Sequence, residues 1–304
     1  MNPEHVELKP ITIVVPLGAG SSVDIAARVV GAELANRQER LVEIELMPGA
    51  GGTIGTAHAA RAAPDGDTLV ICSNGTFAIN MGLYANPGYD PNRDFTPVAL
   101  LGAVTNVMVV HPRNPANSAR EVIAAAQAQP GRLTYSSGGT GTTHHFCGAM
   151  FAAAAGVNLT HFPFDASADA IQQVIDERVS IGLFNLPTVL GHIQAGRLKA
   201  LAVTGRQRSG HLPLLPTLES VLGKPFDVTA WFGLAAPAGT PEALIETLNA
   251  GIGRALAVPA VRTRLIAQGF EIAAHAPPVA FAQLIARDLC KWAALIRQAG
   301  IPFQ

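Results

Sequence analysis

Short runs of aliphatic and β-branched residues alternate with helix-like runs along most of the chain, and that rhythm admits few folds. Residues 11–15 are followed by 24–36, residues 41–46 by 53–63, and residues 68–73 by 77–84. Strands that alternate with helices build largely parallel sheets covered by helices, an α/β architecture. The polar segment 85–97, which carries Pro87, Gly88, Pro91 and Pro97, reads as a long surface connection. Beyond it 107–110 is a strand, and the alternation resumes through 118–129, 132–135, 144–155, 159–162, 168–176, 179–184, 189–195 and 198–203. The Pro-rich stretch 211–225 closes this second unit. Residues 229–235 then read as a strand and the remainder as helix, opened by Thr240 as N-cap with Pro241 at the first helical position.

A C-terminal segment with one strand cannot build a third α/β domain. Residues from Trp231 onward are therefore expected to pack back on the first unit, so that the chain crosses between two lobes near 101–105 and again near 227–231. The expected division places 1–103 and 229–304 in one lobe and 104–228 in the other. With 304 residues, each lobe is large enough to bury its own core. Two crossings make a hinge, and the cleft between hinged lobes is a natural ligand site.

Two loops mark that cleft. The first strand gives way to Pro16-Leu17-Gly18-Ala19-Gly20-Ser21-Ser22-Val23-Asp24, and the strand ending at Tyr135 gives way to Ser136-Ser137-Gly138-Gly139-Thr140-Gly141-Thr142-Thr143. Small residues between a strand and a helix expose backbone N–H groups at the positive end of a helix dipole, which is anion-binding geometry. Neither loop contains Lys or Arg. An anion there is held by amides, by the hydroxyls of Ser21, Ser22, Ser136, Ser137, Thr140, Thr142 and Thr143, and by ordered water, a set that suits a carboxylate better than a polyphosphate. Residues 138–143 lack the Gly-Lys-Ser/Thr ending of a P-loop, and Gly18-Ala19-Gly20 lacks the third glycine and downstream acid of a dinucleotide fingerprint.

The same residues have plainer readings. Either loop alone serves as a tight strand-to-helix turn. Asp24, in a first helical turn, stabilises the helix dipole by about 0.3–1 kcal/mol without touching a ligand. Pro48-Gly49-Ala50-Gly51-Gly52 is read as a turn that lets a helix pack closely on a strand. His144 and His145 project about 100° apart on a helix, with no third ligand at i+3 or i+4, so no metal site is expected. A histidine there can still donate a hydrogen bond to a bound carboxylate.

Composition removes several function classes. Hydrophobic residues make up 49% and charged residues 14%, so the chain is not disordered, and a net charge of -1 without a basic run argues against nucleic acid or anionic membrane as the main partner. No apolar run approaches the roughly 18 residues of a membrane span, so direct membrane insertion is not expected. Residues 1–10 read as polar and extended, without the basic start and apolar centre of a signal peptide; the chain is either cytoplasmic or begins after a removed signal. Cys72, Cys147 and Cys290 are isolated, which indicates buried thiols and not a disulfide framework.

Taken in order, "PLGAGSSVDIAAR", "PGAGGTIGTAHAARAAPDGDTL", "YDPNRDFTPVALLG", "YSSGGTGTTHH", "AGRLKALAVTGRQR", "LPTLES" and "AAPAGTP" resemble the Bug family of extracytoplasmic solute receptors, the TctC-like binding proteins of tripartite tricarboxylate transporters. The resemblance implies a two-lobed, type II periplasmic-binding-protein fold of mostly parallel sheets flanked by helices. It further implies a periplasmic monomer without cofactor, metal or catalysis, which shuts on a small carboxylate like a Venus flytrap and delivers it to membrane transporter subunits. On the family pattern, Leu17, Gly18, Ala19, Gly20, Ser21 and Ser22 face Ser136, Ser137, Gly139, Thr140, Gly141, Thr142 and Thr143 across the ligand, commonly with bridging water. The turn holding Ser73, Asn74 and Thr76 lines the same cleft.

Three departures from the family pattern matter. Ser21 and Ser22 stand where glycines are usual and add two hydroxyls. His161-Phe162-Pro163-Phe164-Asp165-Ala166 replaces His-Val-Pro-Tyr-Lys-Gly, exchanging a basic residue for Asp165. Phe184 occupies a position where amino-acid-binding members carry an aspartate. An amino acid is therefore not the expected ligand, and Phe164 with Phe184 points to an apolar or aromatic ligand body. A rival reading, an α/β enzyme using a Ser or His of 135–146, has no Gly-x-Ser-x-Gly elbow to support it. A receptor sensed by a signalling partner is compatible with the leading reading.

Overall fold

The computed structural model describes residues 9–38 and 40–299. Residues 1–8, which hold most of the polar N-terminal stretch, lie outside the described residues. The first lobe begins as the alternation predicts, with β1 (Ile11–Val15), α1 (Ser22–Gln38), β2 (Val42–Leu46), α2 (Thr53–Ala59) and β3 (Thr68–Ser73). A helical turn at Gly75–Ile79 leads into α3 (Asn80–Leu83) and α4 (Pro91–Asp94). Side chains alternate across each strand. Ile11, Ile13 and Val15 accordingly cluster with Val30 and Leu34 of α1, while Val14 joins Val70, Cys72 and Phe77 on the opposite face.

β4 (Phe95–Val110) is the main departure from the sequence reading. The segment expected as a surface connection ends inside this strand, and the first expected crossing, near 101–105, lies within it. It is followed by α5 (Ala119–Ala128), β5 (Thr134–Ser137), α6 (Thr143–Ala155), β6 (Thr160–Pro163), α7 (Ser167–Ile175), β7 (Ile181–Asn185), α8 (Leu186–Gln194), β8 (Lys199–Val203) and α9 (Leu218–Leu222). The chain then returns through β9 (Thr229–Pro237), α10 (Glu242–Ala257), α11 (Pro259–Ala267), β10 (Glu271–Ile272) and α12 (Pro278–Ala299).

The first sheet runs β2-β1-β3-β9-β4, with β10 on β4; the second runs β8-β4-β7-β5-β6. Both are mixed. β1 is parallel to β2 and β3, and β5 to β6 and β7, whereas β4 and β9 run antiparallel to their neighbours. β4 serves both sheets: it pairs with β9 from Phe95 to Thr105, and from Asn106 its partner is β7. Its pairing with β9 shifts register between Pro97 and Ala99 and again between Leu100 and Gly102. Such irregularities accommodate a proline that cannot donate to the ladder and a glycine against which the Glu271 carbonyl packs.

Two smaller expectations are corrected. α10 starts at Glu242 with Pro241 as its cap residue, one position later than predicted, and the Thr240 hydroxyl donates to the Pro237 carbonyl at 2.8 Å, closing the turn that leaves β9. Cys72 and Cys147 are buried, where desolvation pushes both thiols up, but Cys290 is exposed on α12, on the side that also exposes Arg287. The last helix also does more than return to the first lobe. Phe281 and Ile285 pack with Trp231, while Trp292 and Ile296 join Met108, Phe146 and Phe151 in the core of the second lobe. Among the described residues no helix is long and apolar enough to cross a membrane.

Candidate functional site

The two loops identified in the sequence do face each other across the sheets. Gly20, in the first, adopts a left-handed φ of 72° that glycine tolerates without steric cost. Asp24 holds this loop in shape: its buried carboxylate accepts the Gly20 N–H at 2.8 Å and Arg28 Nε at 2.7 Å, while the Asp24 N–H donates to Ser21 Oγ at 3.4 Å. Its role is thus to brace the loop at the start of α1, in keeping with the structural reading of this residue.

The second loop is braced without any ion. Thr142 is the N-cap of α6 and accepts the His145 N–H at 3.4 Å, and its own hydroxyl donates to the Gly139 carbonyl at 2.7 Å. Ser137 Oγ donates to Gly139 O at 3.1 Å and lies 2.7 Å from His161 Nε2. Tyr135, His161 and His145 form a stack of three rings, with centroids 4.7 and 4.3 Å apart and planes tilted by 23°. Burial pushes His145 down to about 4, and burial with the neighbouring His145 pushes His161 down to about 3. Both rings are therefore neutral near pH 7, which leaves His145 Nδ1 free to accept the Gly141 N–H at 3.4 Å.

Between the loops lies a narrow inner cavity of about 20 Å³. Of the predicted residues, Leu17, Ser21 and Ser22 line it from the first loop, Ser73 and Thr76 from the turn after β3, and Thr142 and Thr143 from the second loop. Among the described residues no Asp, Glu, Lys or Arg lines it. An outer cavity of about 260 Å³ shares Leu17 and Gly51 with it and adds Gly139, Thr140, Phe164 and Asp165. The two are separated where the lobes touch. Tyr84 Oη donates to the Thr140 carbonyl at 3.0 Å, Gly51 packs so closely on that carbonyl that a Cβ would collide with it, and Gly141 packs as closely on Asn80 Oδ1.

Other predicted residues lie behind the cavity or beside it. Ser136 Oγ donates to the Ala170 carbonyl on α7, Ser137 shapes its own loop, and the Asn74 amide donates to Thr229 O where β9 begins. Gly18 faces Ala166 of the other lobe, while Ala19 and Gly20 are exposed. Gly141 serves the contact between lobes. Phe184 is corrected: it is fully buried in the second lobe's core and lines neither cavity. Its neighbour Asn185 takes the place at the cavity, because successive strand residues point to opposite faces.

Sequence reasoning left out Asn185, Ser167 and Gly75 and raised His144 only as a candidate hydrogen-bond donor; these and Gly51 line the inner cavity. For His144 the signal was present in its position at a helix start beside a small-residue loop. Gly51 was read as a packing glycine, and it is one, but the surface it packs against belongs to the opposite lobe.

Two mixed sheets that share a strand, enclosing a hydroxyl-lined cavity with no charged side chain in its wall, define a two-lobed solute-binding receptor. Comparison with known proteins narrows the class. Residues 26–301 match the family model described as "Tripartite tricarboxylate transporter family receptor". Protein BugT of Bordetella pertussis is 32% identical over 96% of this chain and 90% of its own length. The structure of the periplasmic binding protein BugD superposes with a TM-score of 0.92 at 32% identity, covering 99% of this chain and 100% of that one. R. palustris Rpa4515 with adipate gives 0.93 at 30% identity, covering 97% and 99%. The chain belongs to the tripartite tricarboxylate transporter family of receptors.

Proposed function

We propose that this chain is a periplasmic receptor that captures a small organic carboxylate without an α-amino group and hands it to the membrane subunits of a tripartite transporter. The observation that carries this reading is the inner cavity, whose wall offers hydroxyls, amides and an imidazole but no ionised side chain. Such a wall receives a carboxylate through hydrogen bonds and two helix N-termini. It gives an ammonium group no counter-charge, and burying a charge unpaired costs several kcal/mol. Asp24 is engaged by Gly20 and Arg28, and Asp165 is exposed at the outer cavity. The related Rpa4515 was solved with adipate, a dicarboxylate, which supports the same ligand class. Phe164 at the outer cavity favours a ligand with an apolar body.

In this reading residues 1–103 with 229–304 form one lobe and 104–228 the other, hinged where β4 changes sheets beside the start of β9. The receptor works as a monomer, by binding alone. A thermal-shift screen of mono- and dicarboxylates against their amides and alcohols tests this. Binding raises stability by RT ln(1 + [L]/Kd), about 2.7 kcal/mol at a hundredfold excess over Kd. The acids should stabilise and be recovered unaltered, and succinate should bind at least about tenfold tighter than aspartate, a difference of about 1.4 kcal/mol. Neutral isosteres performing as well as the acids, or turnover of the ligand, defeats the proposal.

A further inference from the structure

Among the described residues, two buried side-chain atoms without a protein partner belong to residues that line the inner cavity: Ser22 Oγ and His144 Nδ1. Ser22 opens α1 in the first lobe and is 2% exposed; His144 stands in the first turn of α6 in the second and is 3% exposed. The other unpartnered atoms, on Asn74, Asn80, Asn106 and His192, belong to residues that do not line this cavity. A buried polar group left without a partner is costly, so a pair of them at one cavity marks where a ligand supplies the missing acceptor.

The state of the imidazole follows from its other nitrogen. His144 Nε2 faces the Asn185 N–H at 3.3 Å, and since a backbone amide only donates, Nε2 is the accepting nitrogen. Burial pushes this histidine down to about 4, so the ring is neutral near pH 7 and carries its single proton on Nδ1. The ring plane is set by Asn185 on one side and by an edge-on contact with Phe184 at 5.2 Å on another. Nδ1–H is therefore a fixed donor that cannot accept.

We infer that Ser22 and His144 form a donor pair, one member from each lobe, that grips a single carboxylate of the ligand, and that His144 sets the preference for an acceptor oxygen at this point. Two oxygens of one carboxylate match two donors, whereas an ammonium group finds nothing to accept its proton at His144. Because the donors sit on different lobes, both are satisfied by one group only with the cleft shut, so this grip ties ligand capture to closure. The inference rests on the carboxylate-receptor reading above and deepens it.

Isothermal titration with succinate and adipate tests it on the wild type and on His144→Gln, His144→Asn and Ser22→Ala. A Gln amide can still accept from the Asn185 N–H but places no donor at Nδ1, while Asn places an amide N–H near the Nδ1 position. Affinity should fall by about tenfold or more in His144→Gln, stay within about threefold in His144→Asn, and fall in Ser22→Ala, with the ligand-free melting temperature held. Imidazole ¹⁵N spectra of the wild type should show the Nδ1-protonated neutral tautomer for His144, shifting when succinate is added. Wild-type affinity in His144→Gln, or an Nε2-protonated ring, overturns the inference while leaving the receptor reading intact. If wild-type protein binds no carboxylate, both fall together. Should His144→Gln fail to fold, the wild-type tautomer and its response to ligand still decide the matter.

Discussion

The two loops that meet at the cavity are built to the same plan and braced by opposite means. The first, before α1, is held by a buried carboxylate paired to Arg28; the second, before α6, is held by hydroxyls and a stack of neutral rings. Both present small residues and hydroxyls to the cleft. They differ in what surrounds their glycines. A Cβ at Gly20 meets nothing within 4 Å, whereas one at Gly141 collides with Asn80 across the cleft and crowds Tyr84. The first loop is free to be shaped locally, while the second is shaped by the lobe it must close against.

The sharpest way to break this comparison is to add side chains to both loops. Gly141→Val, at a φ of 87° and against Asn80, should lower carboxylate affinity by more than about a hundredfold in calorimetric titration, close to 3 kcal/mol. Gly20→Ala faces only the left-handed backbone cost of about 1–2 kcal/mol, visible in the melting temperature more than in binding. Comparable affinity in the two variants would mean the lobes do not close where Gly141 meets Asn80.

Acid separates the braces. His144, His145 and His161 are each held below their ordinary value by burial, so the unfolded chain binds protons that the folded one refuses. Their contribution is full above about pH 6.5 and is lost as pH falls toward about 4 for His144 and His145 and about 3 for His161. Denaturant melts between pH 7 and pH 4 should show stability falling, and the fall should be shallower in His161→Phe, which keeps a ring in the stack. An unchanged slope in that variant would remove the histidine stack from the account.

The smallest effect is expected at the ionic brace. Arg28 is half exposed, so Arg28→Ala should cost less than about 1 kcal/mol in chemical denaturation, with ligand affinity within a few fold. A larger loss would make the first loop the more fragile of the two and reverse the comparison.

The lobes and both loops were legible because their signals are local: alternating strand and helix runs, and small residues where one gives way to the other. What was not legible depends on partners distant in sequence. The start of β4 reads as the end of a connection because of Pro97, which the strand accommodates at a shift in its pairing with β9. Phe184 was placed at the ligand by its position in the family pattern, yet the pleat turns Asn185 to the cavity and leaves Phe184 beneath His144. Gly51 was read as a turn glycine packing within its own lobe and Tyr84 carries no motif, because what both touch is the opposite lobe.

α12 also gives the molecule an optical property. The chain has only two tryptophans, and both indoles donate to one acid: Trp231 Nε1 to Asp288 Oδ2 at 2.6 Å and Trp292 Nε1 to the same oxygen at 3.2 Å. Trp231 belongs to β9 beside β4, and Trp292 rests edge-on against Phe146 of α6 at 5.1 Å. Neither lines the ligand cavity. Tryptophan emission from this protein therefore originates where β9 and α12 meet, away from the ligand cavity, so a change on adding a transparent ligand would report an altered environment there without a label.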